Sequence, residues 1–120
     1  MVAKSEYKYG RNKERIRMAV LKVTKHNFEE EVIQGKETVL LDFWAPWCGP
    51  CRMMSPVVES IAQETSKVKV CKVNVDEEPE LAQAFQVMSI PSLVVMKEGK
   101  VINTAVGARP KEEVLKMLGK

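Results

Sequence analysis

Two cysteines three residues apart, Cys48 and Cys51, lie inside the stretch FWAPWCGPCRMMSP (43–56), which also holds both tryptophans of the chain and three of its six prolines. An apolar run, TVLLDFW (38–44), precedes the pair and a helix-compatible segment follows it, so the CxxC falls where a strand gives way to a helix. Residues three apart on a first helical turn share a face, and the two sulfurs can join as a disulfide without unfolding anything. Cys48 falls where the unpaired N–H groups of a helix start point, and the positive end of the helix dipole favours a thiolate there. The thiolate is the nucleophile of thiol–disulfide exchange. Cys48 is therefore expected to attack a substrate disulfide, and Cys51, one turn deeper, to resolve the mixed disulfide. The neutral Gly49-Pro50 insert adds no charge that would stabilise the thiolate further, which leans the pair toward a reductant.

Asp42 interrupts the apolar run six residues before Cys48. If buried, its carboxyl would have a raised pKa from desolvation and could take the Cys51 proton, through a water, when the resolving thiol ionises. If it lies at a sheet edge it is a partly solvated aspartate with no such role. Lys72, in a neighbouring strand, could pair with Asp42 or be a plain surface lysine. A structural zinc site needs four ligands. The CxxC supplies two, and Cys71 and His26 stand on separate elements without pair spacing, so no metal is expected. A fold used only as a binding module within a larger complex, its dithiol incidental, is the competing functional class.

The elements that must position these residues follow from periodicity and turn chemistry. AVLKV (19–23) reads as a short strand, and Asn27 with Glu30 as N-cap and N3 of a helix closed by Gly35. TVLLDFW reads as a strand covered on both faces. A helix over 49–65 is expected to be interrupted at Pro56, with a kink there. VKVCKVNV (68–75) is strand-like, and a short helix over 79–85 starts at Pro79. SLVVMKEGKVINTAV (92–106) reads as a hairpin turning at Glu98-Gly99, and Pro110 opens a last helix with Glu112 and Glu113 in its first turn. The order β-α-β-α-β-α-β-β-α implies an α/β protein: a mixed sheet with helices on both faces.

At 120 residues the chain is expected to form one domain, large enough to fold without a metal or disulfide staple. Residues 1–17 carry six basic side chains against two acidic ones and read as a flexible basic extension; residues 18–120 form the domain and are almost neutral. A nucleic-acid partner would rest on that extension alone and is not expected. No apolar run reaches the length of a membrane span, and the start lacks the apolar core of a secretory signal. Cytoplasmic location is the expectation, since three cysteines do not make a disulfide framework.

WCGPC preceded by VLLDFWAP and followed by a helix carrying Pro56, then SIPSLVVMKEGK and VGARPKEEV, resemble the thioredoxin family over about residues 19–118. The resemblance implies a five-stranded mixed sheet with four helices and the activity of a general protein-disulfide reductase. It implies Cys48 as nucleophile, Cys51 as resolving cysteine, Asp42 as the buried acid and Lys72 as its partner. Pro91 matches the cis-proline opposite the dithiol. Trp47, Gly49, Pro50, Ile90, Pro91, Val106, Gly107 and Ala108 match the flat substrate-docking patch, with the Ile90 backbone pairing to an extended substrate segment. Because the chain lacks a GxGxxG fingerprint, no cofactor beyond the Cys48–Cys51 disulfide is expected. A flavin-dependent thioredoxin reductase would supply electrons from NADPH. Substrates would be disulfide-containing proteins such as reductases and peroxidases, met by a monomer. Ser89 departs from the glycine frequent at its position. Cys71 is expected as a buried inert thiol or, if exposed, a regulatory one. Trp44 is expected to pack beneath the site, Met53 and Met54 to be ordinary helix residues, and His26 to be exposed.

Overall fold

The runs TVLLDFW and VKVCKVN carry almost no polar alternation because both lie at the middle of a sheet sandwiched between helices. The computed structural model describes residues 19–120; the basic stretch 1–17 and Met18 lie outside them. In chain order the elements are β1 (Val20–Lys22), α1 (Glu29–Ile33), β2 (Thr38–Trp44), α2 (Gly49–Glu64), β3 (Val68–Asn74), α3 (Pro79–Ala84), β4 (Ser92–Lys97), β5 (Lys100–Val106) and α4 (Lys111–Met117). The strands form one mixed sheet in the order β1-β3-β2-β4-β5. Strand β2 is central, parallel to β3 with Asp42 opposite Lys72, and antiparallel to β4 with Asp42 opposite Leu93.

Alternate residues of β2 feed two cores, as the period of a strand requires. Val39, Leu41 and Phe43 pack with Val32 of α1 and Leu81 of α3. Leu40 packs on the other face with Met54, Val58 and Ile61 of α2 and with Val114 of α4. Asp42 shares the parity of Leu40 and so faces the layer that carries the two cysteines.

Two local expectations change. Asn27 does not cap α1, which is a single π-helical turn whose N-cap, Phe28, makes no side-chain hydrogen bond. The Asn27 side chain instead accepts from the Thr24 N–H (2.8 Å) and donates to the Lys22 carbonyl (3.0 Å), closing the loop that leaves β1. Asparagine readily serves nearby backbone groups in this way, in competition with helix capping. Helix α2 runs unbroken through Pro56. Pro56 and Arg52, whose carbonyl loses its helical partner, are both exposed, so water can serve that carbonyl. Pro110 opens α4 as its N-cap, with Glu112 and Glu113 in the first turn, as expected.

The hairpin turns at Glu98-Gly99 as expected. Both residues have positive φ (52° and 78°), the combination a type I′ turn requires. Further along, Val95 pairs with Asn103 but Met96 with Val101, leaving Ile102 as an extra residue on the edge strand β5.

Candidate active site

Cys48 is the N-cap of α2, in extended conformation (φ −91°, ψ 114°), and its sulfur accepts the Cys51 N–H at 3.2 Å. The two cysteines are disulfide-bonded, with Cα atoms 5.3 Å apart. Both are almost fully buried and pack with Ala45 against Trp44, Val75 and Ile90. An N–H aimed at the sulfur from a helix start is an interaction that favours negative charge on it.

The peptide bond Ile90-Pro91 is cis, as expected from the resemblance. The Ile90 carbonyl oxygen lies 3.8 Å from Cys48 Sγ, and the Pro91 carbonyl accepts the Gly107 N–H at 2.8 Å. These contacts bring Cys48, Ile90, Pro91 and Gly107 into one group. Gly107 has φ +96° with open space around its Cα, so backbone conformation and not crowding is what calls for glycine there. Val106 and Ala108 flank it as exposed residues, and Gly49 and Pro50 are exposed beside Cys48.

Trp47 is two-thirds exposed, and its indole N–H donates to Asp76 Oδ2 at 3.0 Å. Asp76 is itself held by Asn74, whose Oδ1 accepts the Asp76 and Glu77 N–H groups (2.9 and 3.3 Å). Neither Asn74 nor Asp76 was among the residues expected at the site. The signal available was Asn-x-Asp at the end of a strand, a pattern of turn residues.

Asp42 is fully buried at the centre of the sheet, and neither carboxylate oxygen has a hydrogen-bond partner. Burial pushes its pKa up to about 6, with the charge of Lys72 pulling it partly back. The solvated-edge alternative is thereby excluded. The direct Asp42–Lys72 pair is not formed. The Lys72 ammonium donates to Ser55 Oγ (3.0 Å) and lies 4.5 Å from the centroid of the Trp44 ring. A hydroxyl from α2 and an aromatic face hold the cation, and it acts on Asp42 only through space. Trp44 accordingly packs beneath the site while also seating Lys72. A cavity of about 250 Å³, lined by Val20, Lys22, Trp44, Lys72, Asn74 and Glu77, lies against that lysine.

Cys71 points to the opposite core and is fully buried, its pKa pushed up to about 12 by desolvation, so it is the inert thiol. Met53 is exposed and Met54 buried, with its sulfur accepting the Arg109 N–H at 3.2 Å. Ser89 is exposed and its carbonyl accepts from Ser92 Oγ at 2.5 Å. His26 is exposed on the loop after β1. Among the described residues, no group of three His, Cys, Asp or Glu side chains is placed to hold a metal ion, and no helix is long and apolar enough to cross a membrane.

A CxxC pair at a helix start, facing a cis-proline on a mixed sheet covered by helices on both faces, defines a protein of the thiol–disulfide exchange class. The thioredoxin family model matches residues 19–120. The thioredoxin of Bacillus subtilis is 48% identical over 104 residues, covering 86% of this chain and 98% of that protein. That of Pyropia yezoensis is 48% identical over 104 residues (86% and 97%), and thioredoxin 1 of Synechococcus elongatus 50% over 99 residues (82% and 92%). The chain belongs to the thioredoxin family and is a thioredoxin-type protein-disulfide oxidoreductase.

Proposed function

We propose that this chain is a general protein-disulfide reductase, recharged by a separate thioredoxin reductase that draws on NADPH. The observation that carries the reading is the placement of Cys48: its sulfur receives the Cys51 N–H and faces the Ile90 backbone across the cis-proline. The Cys48 thiolate attacks one sulfur of a substrate disulfide, forming a mixed disulfide and releasing the other substrate sulfur as a thiolate. Asp42, buried and without a hydrogen-bond partner, accepts the Cys51 proton through a water. The Cys51 thiolate then attacks Cys48 Sγ, closing the Cys48–Cys51 disulfide and releasing the second substrate thiolate. Two electrons pass to the substrate, and Lys72 tunes Asp42 through space.

The substrate segment lies extended along the Ile90 main chain. It rests on Trp47, Gly49, Pro50, Pro91, Val106, Gly107 and Ala108, a surface that mixes exposed apolar groups with little charge. Such a surface suits varied disulfide proteins, reductases and peroxidases among them. The chain works as a cytoplasmic monomer with no cofactor beyond its own disulfide.

The test is the reduction potential of the Cys48–Cys51 pair, read from tryptophan fluorescence in defined thiol/disulfide buffers. A potential well below that of the glutathione pool is expected; one near the oxidising end would reverse the direction of electron flow. Cys48→Ser should abolish protein-disulfide reduction, and Cys51→Ser should accumulate mixed disulfides with substrate proteins. Turnover by the first variant, or no trapped species with the second, would overturn the roles assigned.

A further inference from the structure

Arg109 stands one residue beyond the docking rim Val106–Ala108, where dithiol chemistry asks for no charge. Its backbone N–H donates to Met54 Sδ at 3.2 Å, fastening the end of the rim to α2 about one turn past Cys51. Its side chain folds back over the same rim. Nη2 donates to the Val106 carbonyl at 3.1 Å, and Nη1 lies 3.4 Å from Glu113 Oε1 on α4. The remaining donor, Nε, is buried without a partner. Holding a guanidinium there leaves one donor desolvated, an unfavourable arrangement unless its other bonds compensate. The Glu113 contact is half-exposed and contributes little, so the bond to Val106 is the structural consequence that matters.

The Gly107 N–H is already taken by the Pro91 carbonyl. With Val106 O held by Arg109, one main-chain group at each residue is taken by a partner within the protein, and the Val106 side chain remains outside, more than half exposed. The open space around Gly107 provides no steric stop of its own, so these bonds set where the rim stands relative to Cys48 and Cys51.

We propose that Arg109 is a positioning residue that clamps the Val106–Ala108 rim beside the dithiol for docking the polypeptide that flanks a substrate disulfide. The proposal rests on the reductase reading above. It separates two kinds of substrate: a protein disulfide needs the rim, while a small aromatic disulfide needs only the sulfurs.

The experiment compares pre-reduced wild type, Arg109→Met and Arg109→Lys by stopped flow, with insulin and with 5,5′-dithiobis(2-nitrobenzoate), and measures the reduction potential of each. Arg109→Met keeps the apolar stem and removes every side-chain donor. Its insulin rate constant should fall about tenfold, the effect expected of losing one charge-assisted bond, with the small-disulfide rate and the potential unchanged. Arg109→Lys keeps the charge but lacks the planar fork that sets the bond to the Val106 carbonyl, so its insulin rate should fall to an intermediate value. It carries the test if the methionine variant does not fold. An unchanged insulin rate, or parallel losses with both substrates, would overturn the clamp. Failure of wild type itself to reduce insulin would instead overturn the reductase reading.

Discussion

Asp42, buried and without a hydrogen-bond partner, bears on folding stability and on the proposed chemistry alike. Its ordinary pKa of 3.8 is raised by burial to about 6 in the folded protein. Below pH 3.8 the carboxyl is neutral in folded and unfolded chain alike. As pH rises from there toward 6, the unfolded chain ionises first, so folding stability falls. The total loss is about 3 kcal/mol by linkage, reached above the folded pKa. Asp42→Asn should therefore be more stable than wild type at pH 7 to 8, and the difference should vanish near pH 3. Urea titrations at several pH values check this. The same variant should exchange disulfides more slowly at neutral pH, so stability and activity move in opposite directions. Cys71 gives a second prediction at this scale. In fully reduced native protein Cys48, the thiol at the helix start, should react with iodoacetamide, and Cys71 only after denaturation, because burial holds it as an unreactive thiol. Mass spectrometry of alkylated protein reads the outcome.

Among the elements, α2 and the β4–β5 hairpin carry the site from opposite sides. Helix α2 holds Cys48 at its N-cap and buries Cys51, Met54, Val58 and Ile61 along one stripe, so packing fixes the orientation of the dithiol. The hairpin ends in Val106 and the rim that Arg109 holds. Its turn contains a non-glycine residue, Glu98, at φ +52°, a conformation that costs an ordinary L-residue roughly 1–2 kcal/mol and asparagine less. Glu98→Asn should raise stability by about 0.5–1 kcal/mol in chemical denaturation without changing disulfide reduction. An unchanged or lower midpoint would mean that Glu98 has a compensating contact.

At the scale of the whole molecule, a sheet with β2 at its centre serves as the rigid base for a site built from distant segments. Phe43 is fully buried and meets the Phe85 ring at 5.4 Å between centroids. Phe43→Ala should cost about 3–5 kcal/mol, measurable as a large drop in the denaturation midpoint. Hydrogen exchange should follow the same hierarchy. Amides of β2, paired on both sides, should exchange only with global unfolding, and those of the edge strands β1 and β5 much sooner. Comparable protection across all five strands would contradict that ranking.

Much of the architecture was legible in the residues themselves, because it depends on neighbours within a few positions. The apolar runs at 38–44 and 68–75 declare strands covered on both faces, Glu98-Gly99 declares a hairpin turn, and a CxxC at a strand-to-helix junction declares thiol chemistry. Asn27 misled because its side chain found the Thr24 and Lys22 backbone instead of a helix start, a local competition that propensity alone does not resolve. What the tertiary structure decided are the relations between segments far apart in the chain. Asp42 becomes a buried group without a hydrogen-bond partner because β2 runs between β3 and β4. Lys72 is drawn to Ser55 and Trp44, and not onto Asp42, because α2 lies across that face. Ile90 reaches Cys48 over 42 residues, and Arg109 reaches Met54 over 55. Such contacts follow from strand order and helix packing, which are collective properties of the folded chain, whereas the reactivity of a dithiol at a helix start is written in residues 42 to 51.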